Sequence, residues 1–266
     1  MPDVAGYRPE YEIDIERVGI EYLDYPIVVL DKENKKQSTV AKVRMSVDLP
    51  SCWRGTHMSR FIEIINEYRG EITFIQIKQI LEEVIRQFQA RAAHLTLEFP
   101  YFLEKIAPIS GLKSLMEYKA TFNGEIVEGK FDFKLGVKVP VTTLCPCSKE
   151  ISENGAHSQR THIGIEVIGE TFVWLEELIE LGEKCASSPV YATLKREDEK
   201  FVTESAYANP RFVEDVVRAV TKELSSRTDI LWFRVRASSN ESIHNHSAFA
   251  QITRGKQGAR LKCHSE

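Results

Sequence analysis

KFDFKLGVKVPVTTL, residues 130–144, alternates apolar and polar side chains, and HIGIEVIGE at 162–170 continues the pattern. Leu135, Val137, Val139 and Val141 fall on one side of the first stretch, and Ile163, Ile165 and Val167 on one side of the second. A period of two held this long describes strands with one covered face, the signature of an antiparallel sheet. What covers that face comes next in the chain. FVWLEELIELGEKCA (172–186) reads as a helix. NPRFVEDVVRAVTKELSSR (209–227) reads as a second, with Asn209 as N-cap, Pro210 at the first helical position and Val213, Val216, Val217, Val220 and Leu224 as its apolar stripe. ILWFRVRASS (230–239) and SAFAQITRG (247–255) then return to strands.

The first half follows the same order. YEIDIERVGIEYL (11–23) and YPIVVLDK (25–32) read as short strands, followed by the alternating run STVAKVRMSVDLP (38–50). MSRFIEIINEYRG (58–70) is a helix closing at Gly70. TFIQIKQILEEVIRQFQARA (73–92) is a longer one, with Ile77, Ile80, Leu81, Val84, Ile85 and Phe88 on one face. HLTLEFPYFL (94–103) and LMEYKATFNGEIVEG (115–129) are strands again. Each half is therefore two strands, two helices, two strands, with the punctuation VDLP at 47–50 matched by VKVP at 137–140. This predicts an α+β fold of two tandem ββααββ modules, 1–128 and 129–266, with antiparallel sheets and paired helices on one face. The uncovered face and exposed edges ask for partners, hence an oligomer.

Composition narrows the function. The 266 residues include 35 Lys and Arg against 39 Asp and Glu, a formal charge of −4, so no global basic field recruits nucleic acid or anionic lipid. An anionic ligand must be held by a local basic pocket. The start, MPDVAGYRPEYEIDIE, is acidic and lacks an apolar core, which predicts neither a secretory signal nor a membrane span. Five scattered cysteines, Cys52, Cys145, Cys147, Cys185 and Cys263, fit a reducing cytoplasm with free or metal-bound thiols.

Chemistry concentrates in the second half. In TTLCPCSKEIS (142–152) extended backbone would place Cys145 and Cys147 on the same side, with Pro146 interrupting any ladder. A closed structural zinc site would need Cys145, Cys147, His157 and His162 together, without a second C-x-x-C pair to support it. An open site would use one thiolate, one imidazole and one distant carboxylate, leaving a position for water and a second cysteine for acid–base work. LKREDEKFVTESAYANP (194–210) reads as a charge-rich loop that carries Glu197, Asp198, Glu199 and Glu204. Glu214 lies on the flank of its helix stripe, either as an exposed i,i+4 pair with Arg218 or as a carboxylate available to a ligand. SSNESIHNHSAF (238–249) sets Glu241, His244 and His246 between two strands, where a bulge or turn must intervene for Glu241 and His244 to share a site.

These segments, TTLCPCSKEIS, GAHSQRTH (155–162), LKREDEKFVTESAYANPRFVEDVVR (194–218) and SSNESIHNHSAF, together with GTHMSRF (55–61), resemble the signature segments of the prokaryotic type IB GTP cyclohydrolase I family. The resemblance spans nearly the whole chain. It implies the tunnelling fold, a cytoplasmic homotetramer with sites at subunit junctions, and hydrolysis of GTP to 7,8-dihydroneopterin triphosphate and formate, the entry step to folate-type pterins. It implies a divalent metal (zinc, manganese or iron(II)) held by Cys145, His157 and Glu199, with Glu197 and Asp198 as neighbours that leave the third ligand open. Cys147 would move protons at the ring, Glu241 and His244 would serve acid–base steps, and Glu214 and His246 would bind substrate, Glu214 at the guanine edge. Lys149, Arg160, His162, Arg196 and Lys200 are the cations available to the triphosphate. Two rivals remain at this stage. One is a nitrile reductase of the same fold, with a cysteine nucleophile and NADPH; the other is a non-catalytic zinc-stabilised module.

Overall fold

In a computed structural model, which describes residues 4–68 and 70–255, the strands are β1 (Ile15–Asp31), β2 (Lys35–Leu49), β3 (Ala92–Ile106), β4 (Lys113–Val127), β5 (Lys130–Leu144), β6 (Ser158–Gly169), β7 (Ser188–Pro189), β8 (Ile230–Asn240) and β9 (Ser247–Gly255). The helices are α1 (Met58–Glu67), α2 (Phe74–Phe88), α3 (Pro146–Ile151), α4 (Leu175–Lys184), α5 (Arg196–Ala208) and α6 (Val213–Ser226). Strands are hydrogen-bonded in the order β1-β2-β3-β4-β5-β6-β8-β9, with β7 on β5, and the β1–β2, β2–β3, β5–β6, β5–β7, β6–β8 and β8–β9 pairs are antiparallel. The chain divides into two compact units, 1–100 with 121–134, and 101–120 with 135–266, so the part of the β3–β4 hairpin nearest its turn belongs to the second.

In the first unit, Ile27, Val29, Ala41, Val43, Met45 and Val47 of the β1–β2 hairpin are buried, as are Phe61, Ile64 and Ile65 of α1 and Ile77, Ile80, Leu81 and Val84 of α2. Thr73 starts α2 with a reciprocal cap: its hydroxyl accepts from Ile75 N (3.2 Å) and its N–H donates to Gln76 Oε1 (3.2 Å). The two short strands expected over 11–32 are one bent strand, because the β1–β2 register slips between Ile20 and Leu23 and the chain continues through Tyr22 at φ 63°.

In the second unit, α4 and α6 bury Leu178, Ile179, Val216, Val217, Val220 and Leu224 on the sheet face that carries Val139, Val141, Ile163, Ile165, Val235 and Ala237. Gly182 lets α4 close on the sheet, since a Cβ there would sit 3.1 Å from the Val139 side chain.

Two expectations fail here. Residues 196–208 are helical, not a loop. Asp198, at the third helical position, accepts Lys195 N–H (2.9 Å), which fixes the helix start. Helix α6 begins at Val213, not at Pro210. Asn209 is the C-cap of α5, where its Nδ2 donates to Ala186 O (2.9 Å) and its Oδ1 accepts from Arg211 Nε (3.1 Å). Arg211 N–H donates to Leu144 O (3.0 Å), so the chain stays extended until Asp215 accepts the Phe212 N–H (3.1 Å).

Candidate active site

At the end of β5 three of the candidate segments meet, those carrying Cys145, His157 and Ser242. Pro146 takes the first helical position of α3, which makes Cys145 the N-cap, and its Sγ accepts the Ser148 N–H at 3.4 Å. Cys145 and Cys147 are therefore not side by side as extended backbone would place them. In helical backbone, positions two apart diverge by roughly 200°, and Cys147 is exposed while Cys145 is half-buried.

His157 is stitched to the same turn. Cys145 N–H donates to His157 O (3.0 Å), and Ser148 Oγ donates to Cys145 O (3.3 Å) while accepting His157 N–H (3.2 Å). Beyond the ring runs a chain of polar groups. His157 Nδ1 lies 2.9 Å from Gln159 Oε1, Gln159 Nε2 donates to Thr143 Oγ1 (3.4 Å), and Thr143 Oγ1 meets Thr161 Oγ1 at 2.7 Å. Because the amide nitrogen of Gln159 is spent on Thr143, its oxygen faces the imidazole. An Nδ1–H tautomer of His157 satisfies this oxygen and leaves Nε2 as the nitrogen open to a metal. A thiol whose sulfur already receives an N–H, beside an imidazole with a free ring nitrogen, suits a zinc-like divalent metal. Ser148, Gln159 and the two threonines lie inside the quoted segments TTLCPCSKEIS and GAHSQRTH, but their residue types gave no reason to single them out.

Residues 241–246 form a bend between β8 and β9, the interruption that Glu241 and His244 required. Ser242 Oγ approaches His157 Nδ1 at 3.3 Å, which brings this loop to the Cys145–His157 turn. Glu241 is half-buried; His244 and His246 are exposed and stacked, with ring centroids 5.2 Å apart.

The remaining candidates stand apart. Glu197 and Glu199 are exposed on the first turn of α5, and Asp198 between them is fully buried. Asp198 accepts hydrogen bonds from Ile109 N (2.8 Å), Ser110 N (2.9 Å), Ser110 Oγ (2.6 Å) and Lys195 N (2.9 Å). Burial pushes its carboxyl up, but these bonds more than reverse that and hold it well below the usual carboxylate range. A carboxylate so committed has no lone pair to offer a metal, which removes Asp198 from the three possible third ligands. Among the described residues no group of three His, Cys, Asp or Glu gathers at metal-binding distance, so Glu199 does not join Cys145 and His157 in this conformation.

Glu214 is exposed in the first turn of α6, where its carboxylate has no hydrogen-bond or ion-pair partner among the described residues, and Arg218 pairs instead with Asp215 at 3.4 Å. Lys149 is spent: its Nζ donates to Tyr207 O (2.5 Å) and lies 4.4 Å from the Tyr207 ring centroid, fastening α3 to α5. Lys200 pairs with Glu204 (3.9 Å). Arg160 and His162 lie on the open face of β6; burial and then the nearby Lys138, Arg160 and Lys119 charges hold the His162 imidazole below its ordinary pKa. Cys52 is exposed and Cys185 buried, both as free thiols; Cys263 lies outside the described residues. No helix among the described residues is long and apolar enough to cross a membrane.

An α+β protein with two ββααββ repeats and antiparallel strands belongs to the tunnelling-fold class, and solved structures agree. Uricase from Arthrobacter globiformis matches with a TM-score of 0.55 at 9% identity, over 92% of this chain and 95% of that one. A hyperthermostable mutant of the Bacillus sp. TB-90 urate oxidase matches with a TM-score of 0.55 at 9% identity, over 91% and 99%. Likeness at that identity shows the fold alone. The sequence goes further. The family model described as type I GTP cyclohydrolase folE2 matches residues 1–250. GTP cyclohydrolase FolE2 of Geobacter sulfurreducens is 56% identical over 259 residues, covering 97% of this chain and all of that protein. GTP cyclohydrolase FolE2 of Syntrophotalea carbinolica is 54% identical over 252 residues, covering 95% and 94%. The chain belongs to the type I GTP cyclohydrolase FolE2 family.

Proposed function

We infer that this protein is a GTP cyclohydrolase of folate-type pterin biosynthesis, converting GTP and water to 7,8-dihydroneopterin triphosphate and formate. Family membership over residues 1–250 supports the activity. The observation that supports its location is the Cys145–His157 turn, with the imidazole Nε2 left free and the 241–246 loop brought against it.

Cys145 and His157 would hold the divalent metal, whose contribution when bound is to make a water nucleophilic near neutral pH. Glu199 would complete the set from α5, with Glu197 as the alternative. The protein's own groups do the rest. Cys147, exposed and two residues from the ligand, moves protons at the imidazole ring of guanine while it opens. Glu241 and His244 exchange protons during opening and the ribose rearrangement, on a loop that Ser242 fastens to His157. Glu214 accepts two hydrogen bonds from the guanine N1–H and 2-amino group, a role its unpaired carboxylate leaves open. His246, stacked on His244, contacts the substrate beside it.

Of the two modules, 1–128 and 129–266, the C-terminal one supplies most of this site. A cytoplasmic homotetramer, with sites completed at subunit junctions and acting on neither nucleic acid nor membrane, accommodates the distance of Glu199 from the Cys145–His157 turn.

Cys145→Ala tests the ligand assignment. The variant is expected to fold, to lose bound metal and to lose activity. Full metal occupancy in it would defeat the assignment. The nitrile-reductase rival predicts activity without metal.

A further inference from the structure

Helix α5 carries the carboxylates offered to the metal, yet little that is apolar holds it in place. Of its 13 residues only Asp198 and Ala206 are buried. Helices in proteins are usually located by the packing of an apolar stripe. Without one, the position of α5 rests on polar bonds at its two ends. At the C-terminal end Lys149 of α3 donates to Tyr207 O (2.5 Å), and Asn209 donates to Ala186 O (2.9 Å). These tie α5 to the turn that Cys145 caps and to the residues just past α4. At the N-terminal end the fastening is Asp198.

Its partners lie in the turn that joins β3 to β4. That turn is closed on itself: Ala107 N–H donates to Leu112 O (2.9 Å), Gly111 N–H donates to Ala107 O (3.2 Å), and Gly111 sits at φ 68°, where glycine is favoured. The Ile109 and Ser110 N–H groups are thereby aimed at one point, and Oδ1 of Asp198 accepts both, at 2.8 and 2.9 Å. Oδ2 accepts the Ser110 hydroxyl (2.6 Å) and the Lys195 N–H (2.9 Å). Ser110 Oγ in turn accepts the Leu112 N–H (3.4 Å).

A helix start needs less than this. The usual cap is one side-chain oxygen accepting an N–H of its own first turn, and the bond from Lys195 would suffice. Three of the four bonds to Asp198 come from the hairpin turn instead. They fix the rotation of α5 as well as its start. At roughly 100° per residue, aiming Asp198 at the turn sets Glu197 and Glu199 on opposite flanks of the helix. Both are exposed.

We propose that Asp198 is a positioning residue for the metal centre: held by the 109–110 turn, it sets the rotation and placement of α5 so that Glu199 is presented to the metal. The inference rests on the reading of Glu199 as the third ligand. Asp198 touches neither metal nor substrate. The β3–β4 turn, which holds no candidate ligand, takes part in the site through Ser110.

The zinc-loaded full chain is titrated with a competing chelator, beside Glu199→Gln, Asp198→Asn, Ser110→Ala and the double variant Asp198→Asn/Glu199→Gln. Glu199→Gln should hold zinc more weakly, as loss of a ligand requires. Asp198→Asn turns an NH₂ towards N–H donors and should weaken zinc about ten- to a hundredfold, the usual scale for groups that orient a metal ligand. Ser110→Ala removes one bond of the four and should weaken zinc less, in the same direction; it carries the test if Asp198→Asn does not fold. Saturating zinc should return kcat in Asp198→Asn and Ser110→Ala close to wild type, because neither group meets the substrate. The double variant should hold zinc no more weakly than Glu199→Gln alone, because Asp198 acts through Glu199. Glu125→Gln, which loses a hydrogen-bonded carboxylate of the first unit, separates positioning from stability: its unfolding midpoint should fall while its zinc affinity stays level. Unchanged zinc affinity in Glu199→Gln would remove the ligand reading and the proposal with it. Weakened zinc in Glu199→Gln beside unchanged affinity in Asp198→Asn and Ser110→Ala would overturn the proposal alone. So would a further loss of zinc in the double variant, or a loss in Glu125→Gln equal to that in Asp198→Asn, since either would make Asp198 a support of the fold only.

Discussion

The two ββααββ repeats differ most in what joins their elements. In the first, residues 32–34 join β1 to β2 and residues 68–73 join α1 to α2. The matching links in the second are 145–157, which includes α3, and 185–212, which includes β7 and α5. Cys145, Cys147, His157 and Glu199 all lie in these longer links, Glu214 lies in the first turn of α6 just past the second, and Glu241, His244 and His246 lie in the β8–β9 loop. The repeat supplies a sheet and helix layer, and the residues proposed for the chemistry lie mostly in the insertions of one copy. Charges follow the same division. In the first unit Glu125 is held by His94 (3.3 Å) and Lys134 (3.7 Å), and Asp48 by Arg91 (3.2 Å). In the second unit Arg234 holds Glu166 (2.6 Å), while the Glu199 and Glu214 carboxylates stand unpaired among the described residues.

The contrast makes graded predictions. Cys147→Ala should keep its metal while turnover falls about a hundredfold or more, the usual scale for a general acid–base group. Metal analysis and steady-state kinetics check this, and loss of metal would return Cys147 to a two-cysteine structural site. Glu214→Gln keeps size and helix propensity but turns an NH₂ towards the donors of guanine. A mismatched polar group costs about 1–3 kcal/mol, so GTP affinity should fall roughly ten- to a hundredfold with little change in stability. Titration of GTP with metal bound would show it, and unchanged affinity would make Glu214 a surface carboxylate.

Glu125 is expected to matter for stability alone. The hydrogen bond from His94 lowers its carboxyl, burial opposes, Lys134 adds to the lowering, and the result is a pKa of about 2 against an ordinary 4.5. A depressed carboxyl stabilises the fold above its unfolded pKa, and that contribution is lost as pH falls from about 4.5 towards 2. Glu125→Gln should therefore flatten the acid limb of urea midpoints over that window while leaving GTP turnover unchanged at neutral pH. Smallest of all, Arg218→Ala removes an exposed i,i+3 pair with Asp215 and should cost at most about 0.5 kcal/mol by thermal unfolding.

Much of this division was legible in the sequence. Helix α2 and strands β5 and β6 follow their hydrophobic periods closely, because one face of each packs on a single layer. Helix α5 escaped notice because it buries only Asp198 and Ala206 and so writes no apolar stripe. Its start is fixed instead by a buried carboxylate, Asp198, which resembles a ligand candidate in sequence and proves to be a fastening to the 109–110 turn. Asn209 and Pro210 carry strong helix-start signals, yet the long-range bonds of Asn209 to Ala186 and of Arg211 to Leu144 override them. The segments at the candidate site stand out in the sequence by residue type. Their local geometry was not, because a cysteine before a proline reads equally as strand end or helix cap. The side-chain chain through Gln159 that orients His157 joins residues no spacing rule links.

A metal-dependent GTP cyclohydrolase site in the links of the second repeat is what the proposed function requires. The measurement that tests it most directly is the mass of the product formed from GTP by the metal-loaded chain, run beside the metal-stripped chain and metal-treated Cys145→Ala. The account predicts 7,8-dihydroneopterin triphosphate and formate from the loaded chain and neither from the other two. Equal product from the stripped chain, or from Cys145→Ala, would contradict it.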